Sequence, residues 1–140
     1  MKAFLDTSVL VAAFYADHEH HTASIELFLR FEKPEVSCSA HSLAEVYSSL
    51  TGMPGKDRVT GDEALLFLGN VRDRLTLIAL NEKEQFRAIE ESAAHVSGGG
   101  IYDALIGHCA LKANAKFLYT WNLKDFTRLG AAIAQCVRTP

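Results

Sequence analysis

The spacing of apolar positions changes repeatedly along this chain, and each change marks an element. Ala3-Phe4-Leu5 is an unbroken apolar run, and Lys2–Leu5 reads as a buried strand. Thr7–Tyr15 follows as a short, heavily apolar helix. His20–Phe31 carries Ile25, Leu27, Phe28, Leu29 and Phe31, a broad face suited to a core-facing helix. Pro34 ends that helix, and Glu35–Cys38 is a candidate strand. Ser39 is placed to cap the next helix, on which Leu43, Val46, Tyr47 and Leu50 fall at i, i+3, i+4 and i+7. Its opposite stripe holds His41, Glu45, Ser48 and Ser49.

Gly52-Met53-Pro54-Gly55 breaks the pattern. Gly61–Leu75 then predicts a helix with Leu65, Leu68, Val71 and Leu75 inward, and Leu77–Leu80 a strand. Asn81 with Glu84 three residues on is a capping box that starts another helix, stopped by Gly98-Gly99-Gly100. Tyr102–Ala113 is the next helix, Lys116–Thr120 a strand, Leu123–Leu129 a short helix and Ile133–Val137 a last strand. Strands alternating with helices imply a mainly parallel sheet covered on both faces. A chain of 140 residues suits one domain over 1–140.

Charge and cysteine content narrow the classes. The formal net charge of −3 argues against a strongly basic nucleic-acid coat, while leaving room for a local basic groove. Cys38, Cys109 and Cys136 have no paired spacing, which predicts reduced, buried thiols. Asp6 interrupts the first apolar stretch, no clean cleavage site follows, and no apolar run reaches the roughly 18–20 residues of a membrane span. The expectation is a soluble, cytoplasmic protein without a membrane partner.

The candidate chemistry begins at Asp6, directly after the first strand and directly before a helix. A carboxylate there points out of the carboxyl edge of a sheet, where open α/β sheets bind ligands. Glu45 lies on the polar stripe of the third helix, and Asp103 in the first turn after the triple glycine. Thr120, Asn122 and Asp125 follow the fourth strand, so Asn122 and Asp6 leave strands at one edge. Clustered oxygen ligands repel one another, and hard cations such as Mg²⁺ or Mn²⁺ relieve that repulsion. A metal-activated water then suits phosphodiester hydrolysis. Taken singly, Glu45 fits a solvated helix face equally well, and Asp103 and Asp125 fit helix caps or a surface ion pair.

The ordered set carries more than its members. Leu5-Asp6-Thr7-Ser8-Val9-Leu10, Ala44-Glu45-Val46, Tyr102-Asp103-Ala104-Leu105-Ile106 and Thr120-Trp121-Asn122-Leu123-Lys124-Asp125-Phe126 together resemble the PIN-domain ribonucleases. More narrowly they resemble the VapC toxins of toxin–antitoxin pairs, over nearly the whole chain. The resemblance implies a three-layer α/β/α sandwich around a mainly parallel sheet. It implies a Mg²⁺- or Mn²⁺-dependent endoribonuclease that leaves 3′-hydroxyl and 5′-phosphate ends. The family's acidic positions carry over to Asp6, Glu45 and Asp103 as metal ligands, and its fourth falls on Asn122 or Asp125. Thr7 and Thr120 match hydroxyls that orient the carboxylates or a metal-bound water. RNA as substrate, a cognate antitoxin protein and a homodimer are implied as partners.

An acidic site needs cations nearby to attract RNA. Lys56, Arg58, Lys112, Lys116, Lys124 and Arg128 are the candidates, and Trp121 is a candidate for base stacking or for the core. His18, His20 and His21 read as a solvated helix start, because no third ligand accompanies them. His41 is one turn before Glu45 and within reach of the site, and His108 reads as a core histidine. A haloacid-dehalogenase-like phosphatase is disfavoured because Ser8 stands where a second aspartate is needed, and a response-regulator receiver because Asp6 lacks an acidic neighbour. The remaining alternative is a catalytically inactive PIN-like module that binds RNA or protein.

Overall fold

The computed structural model describes residues 1–140. Five short strands form one sheet: β1 (Ala3–Leu5), β2 (Val36–Ser39), β3 (Thr76–Ile78), β4 (Phe117–Tyr119) and β5 (Val137–Arg138). Their spatial order is β3-β2-β1-β4-β5, and every pairing is parallel. Eight helices connect them: α1 (Thr7–Phe14), α2 (His21–Arg30), α3 (Ala40–Gly52), α4 (Gly61–Arg74), α5 (Glu82–Ser92), α6 (Gly100–Lys112), α7 (Leu123–Thr127) and α8 (Ala131–Ala134). The α/β class expected from the chain is observed.

Strand alternation divides the core between the two faces. Ala3 and Leu5 pack with Val9 and Leu10 of α1, Leu27 and Phe28 of α2, Val46 and Leu50 of α3, and Phe67 and Val71 of α4. Phe4 points the other way, onto Ala104, Ile106 and Cys109 of α6, with Leu118, Phe126 and Ile133. β1 is therefore buried on both faces, which explains its unbroken apolar run. The chain order reverses between β1 and β4, so their carboxyl ends flank the crevice typical of ligand sites in open α/β sheets. Register pairs Leu5 with Tyr119, which brings Asp6 level with Thr120.

Three expectations need correction. Ile133–Val137 is not a strand: Ala131–Ala134 forms α8 and only Val137–Arg138 pairs with β4. Ile133 is needed beneath α6, where an ideal Cβ on Gly107 would lie 2.7 Å from Ile133 Cδ1. On α4 the buried face is Ala64, Phe67 and Val71, with Leu68 packed beside it, and Leu65 stands 59% exposed. Leu29 of α2 also faces outward. Cys38 and Cys109 are free and buried as expected, and burial pushes the Cys38 thiol up to about 12. No helix is long and apolar enough to cross a membrane.

Candidate active site

Asp6 is both the last step of the β1 ladder and the cap of α1. Its backbone N–H donates to Tyr119 O at 3.0 Å, and its carboxylate accepts from Ser8 N at 3.3 Å. An acid at this N-terminus is favoured by the helix dipole. Ser8 Oγ and Thr120 Oγ1 both donate to Asp6 Oδ2 at 2.8 Å. Ser8 Oγ also accepts the Trp121 backbone N–H at 3.0 Å, and Thr120 Oγ1 accepts that of Asn122 at 2.9 Å. These bonds tie the ends of β1 and β4 together around one carboxylate oxygen. Burial nonetheless raises the Asp6 pKa, against the pull of these hydroxyls.

Glu45 reaches the same crevice from α3. Thr7 Oγ1 lies 3.0 Å from both Glu45 Oε1 and Ser42 Oγ, so the threonine hydroxyl orients the glutamate. Burial raises the Glu45 pKa, the Asp6 charge adds to this, and the Thr7 bond and His41 oppose it. Asp103, in the first turn of α6, is pushed up to about 6 by burial and then by the charges of Asp6, Asp125 and Glu45, with Arg128 opposing. Three half-buried or buried acids thus share one field.

They also share one cleft of about 510 Å³, lined by Asp6, Glu45 and Asp103 together with Thr7, Ser8, Ser49, Asn122, Trp121 and residues 18–20. No lysine or arginine lines it. No three His, Cys, Asp or Glu side chains lie close enough to hold an ion unaided. Hard oxygen donors around an open space still suit a cation that keeps several waters in its shell.

The structure sorts the remaining expectations. Asn122 lines the cleft, whereas Asp125 does not and lies 3.8 Å from Arg128 Nη2. Neither Lys112 nor Lys116 lines the cleft. Lys112 Nζ binds Ala79 O at 2.8 Å and Glu84 Oε1 at 2.7 Å, and Lys116 N bonds Met1 O. Arg58 Nε is used on Met53 O at 3.0 Å, while Lys56 and Lys124 are exposed. His108 is half-buried against Glu91, 4.0 Å away, and burial lowers its pKa.

His20 is the N-cap of α2 and His21 its first residue, as expected, but residues 18–20 are not merely solvated. His18 and His20 turn back over the carboxyl edge into the cleft. No periodic signal marks such a loop. Ser8 and Ser42 were also missed, although the Asp6-x-Ser8 spacing is that of a helix cap and Ser42 stands one turn before Glu45. Trp121 packs against the core edge, with His20 stacked on its ring.

The model of the PIN domain family matches residues 3–131. Ribonuclease VapC40 of Mycobacterium tuberculosis is 36% identical over 114 residues, 81% of this chain and 81% of its own. The crystal structure of VapBC2 from Rickettsia felis, bound to a promoter DNA fragment, aligns with a TM-score of 0.67 at 22% identity, covering 99% of this chain and 98% of that one. Mycobacterium tuberculosis VapC20, a toxin that cleaves the sarcin–ricin loop, aligns with a TM-score of 0.66 at 20% identity, covering 84% and 87%. These structural likenesses establish the α/β/α architecture, and the sequence match carries the finer assignment. The chain belongs to the PIN-domain family, among its VapC-type ribonucleases.

Proposed function

We infer that this protein is the toxin of a type II toxin–antitoxin pair, a divalent-metal-dependent endoribonuclease that hydrolyses RNA phosphodiester bonds in the Asp6–Glu45–Asp103 cleft. The observation that carries the reading is the convergence of these three acids, from the β1–α1 junction, α3 and α6, on a cleft without a lysine or arginine. The VapC40 relative is named a ribonuclease, which supports the reaction class.

The donor set fits Mg²⁺ or Mn²⁺, with Asp6, Glu45 and Asp103 as the residues that would hold the ion and water completing its shell. Such an ion, when bound, supplies charge stabilisation for the phosphorane-like transition state and lowers the pKa of a bound water. The chain's own contributions follow from its hydrogen bonds. Ser8 and Thr120 fix Asp6 through Oδ2, which leaves Oδ1 to face the cleft. Thr7 holds Glu45 through Oε1, which leaves Oε2 to orient the attacking water and to take its proton. Attack in line on phosphorus breaks its bond to the 3′ oxygen, which takes a proton from solvent to become the 3′-hydroxyl, and leaves a 5′-phosphate. Asn122 offers a neutral carbonyl at the rim, and Asp125, outside the cleft lining, acts by raising Asp103.

Two of the solved relatives are VapBC pairs, from Rickettsia felis and from nontypeable Haemophilus influenzae, which supports a cognate antitoxin as partner here too. A homodimer is proposed on the family likeness. The direct test is cleavage of total RNA with Mg²⁺ by the purified chain. Divalent binding without cleavage of any RNA would instead favour a binding module.

A further inference from the structure

The segment between α1 and α2 gives the cleft a flat wall. His20 lies face to face with Trp121, with ring centroids 3.7 Å apart and planes 7° from parallel. The His18 ring lies beside that of His20, with centroids 5.7 Å apart and planes 42° from parallel. The His20 backbone N–H donates to His18 Nδ1 at 3.0 Å, and Glu19 Oε1 lies 3.5 Å from His20 Nε2. Trp121 is itself anchored: its indole N–H donates to Ser24 Oγ at 2.8 Å and its backbone N–H to Ser8 Oγ at 3.0 Å. Ser8 is the same hydroxyl that holds Asp6 Oδ2. Hydrogen bonds thus fix the aromatic wall relative to the central carboxylate.

The inner ring of this pair packs against the core and has its N–H spent, so it offers little to a ligand. The outer ring does not: 37% of the His20 side chain is exposed, and it lines the cleft beside Asp6. A flat ring, ordered in advance and adjacent to a phosphate-cleaving centre, is how single-strand binders seat bases. Ordering it beforehand spares freedom that would otherwise be lost on binding. The other aromatic pair near the acids, His41 and Tyr102, differs in both respects. Its centroids are 6.0 Å apart, and neither ring lines the cleft.

We propose that His20, backed by Trp121, is a nucleobase-stacking platform that seats a base of single-stranded RNA beside the carboxylates. This rests on the ribonuclease reading above and adds to it a residue that contacts substrate. His20 acts on binding and on which nucleotide flanks the cut, while the hydrolytic step stays with the acids.

The test compares the parent with His20→Leu, His20→Gln and His20→Phe, each first checked for an unchanged melting temperature. Leucine keeps Trp121 covered but offers no flat face, glutamine is a second non-aromatic variant, and phenylalanine restores a ring. Binding is read by anisotropy with Ca²⁺ in place of Mg²⁺ and two labelled probes, a short oligoadenylate and an abasic oligomer of equal length. The expected result is that His20→Leu and His20→Gln weaken oligoadenylate binding about 5-fold or more, while His20→Phe stays within about twofold. All four proteins bind the abasic oligomer alike. With Mg²⁺ and a randomised RNA pool, His20→Leu raises KM more than it lowers kcat and blurs the base preference at one position beside the cut. Equal oligoadenylate binding by parent and His20→Leu, or an equal loss on the abasic probe, overturns the platform. Failure of the ribonuclease reading looks different: the parent then cuts no RNA, whatever the probes show.

Discussion

Thr120 Oγ1 donates to Asp6 Oδ2 at 2.8 Å, across 114 positions of sequence. This buried bond joins the carboxyl ends of β1 and β4, the two strands between which the chain order reverses. It depends on the parallel register that sets Leu5 beside Tyr119. Thr120→Val keeps the shape of the side chain but removes the donor to Asp6 and the acceptor for Asn122 N–H. The variant is expected to lose about 1–3 kcal/mol of unfolding free energy, as for a buried polar group left unpaired. RNA cleavage should fall about 10- to 100-fold, the usual cost of freeing a ligand from its supporting bond. Denaturant melts and initial rates measure the two losses.

Asp103 makes the metal-free protein sensitive to pH. Its carboxyl is raised from 3.8 to about 6, so between these values the folded chain binds more protons than the unfolded one. Unfolding free energy therefore falls as pH rises through that window. The stabilising contribution is complete below the unfolded value and gone above the folded one. Asp6 and Glu45, also raised, act with the same sign. In EDTA, Asp103→Asn should match the parent near about pH 4 and become the more stable of the two by about pH 7. Mg²⁺ competes with the same protons, so the melting-temperature gain it gives the parent should grow over that range. A gain that shrinks as pH rises would contradict the shared acidic field.

The fourth position of the site divides between a rim residue and one outside the cleft lining. Asn122→Asp adds a charge to the cleft and should lower the Mg²⁺ concentration needed for half-maximal cleavage. Asp125→Asn removes a charge that raises Asp103, and should move the acidic limb of the pH–rate profile to lower pH. If Asp125→Asn instead abolished Mg²⁺ binding, Asp125 would be a ligand and the placement of Asn122 would be wrong.

Packing of α6 on α8 is equally open to test. An ideal Cβ at Gly107 would sit 2.7 Å from Ile133 Cδ1 and 3.3 Å from its Cγ1, in a site where Ile133 is 2% exposed. Gly107→Ala should cost about 1–3 kcal/mol by overpacking. Ile133→Val removes the atom that clashes, so the two substitutions together should cost less than their sum, by about 0.5 kcal/mol or more. Equilibrium unfolding of the four proteins in the cycle gives the coupling directly.

Elements with strong local signals were legible in the sequence. β1 was marked by its apolar run, and α3 by apolar period with a serine cap whose Oγ accepts His41 N–H at 3.1 Å. The α5 start was marked by the Asn81–Glu84 box, whose reciprocal bonds are both 2.9 Å. The strand-end position of Asp6 and the polar stripe of α3 mark the acids in the sequence itself. What escaped depends on tertiary packing. Ile133-Ala134-Gln135-Cys136-Val137 has strand-like composition, yet Ile133 is drawn into a helical turn to fill the space over Gly107. Leu65 has the period of the buried face but falls just outside the arc that the sheet covers. The histidines at 18 and 20 form no period at all. Their place in the cleft follows from how the short α1–α2 connection returns over the sheet edge.

The central claim is that Asp6 anchors a metal-dependent ribonuclease centre with Glu45 and Asp103. One measurement tests it most directly: RNA cleavage at fixed Mg²⁺ by the parent, Asp6→Asn and Asp103→Asn, with a folded-state melt for each. The account predicts cleavage by the parent that EDTA abolishes and Mg²⁺ restores, and a loss of about 10²-fold or more in both folded variants. Variants that cut as fast as the parent, or parent activity indifferent to EDTA, would contradict it.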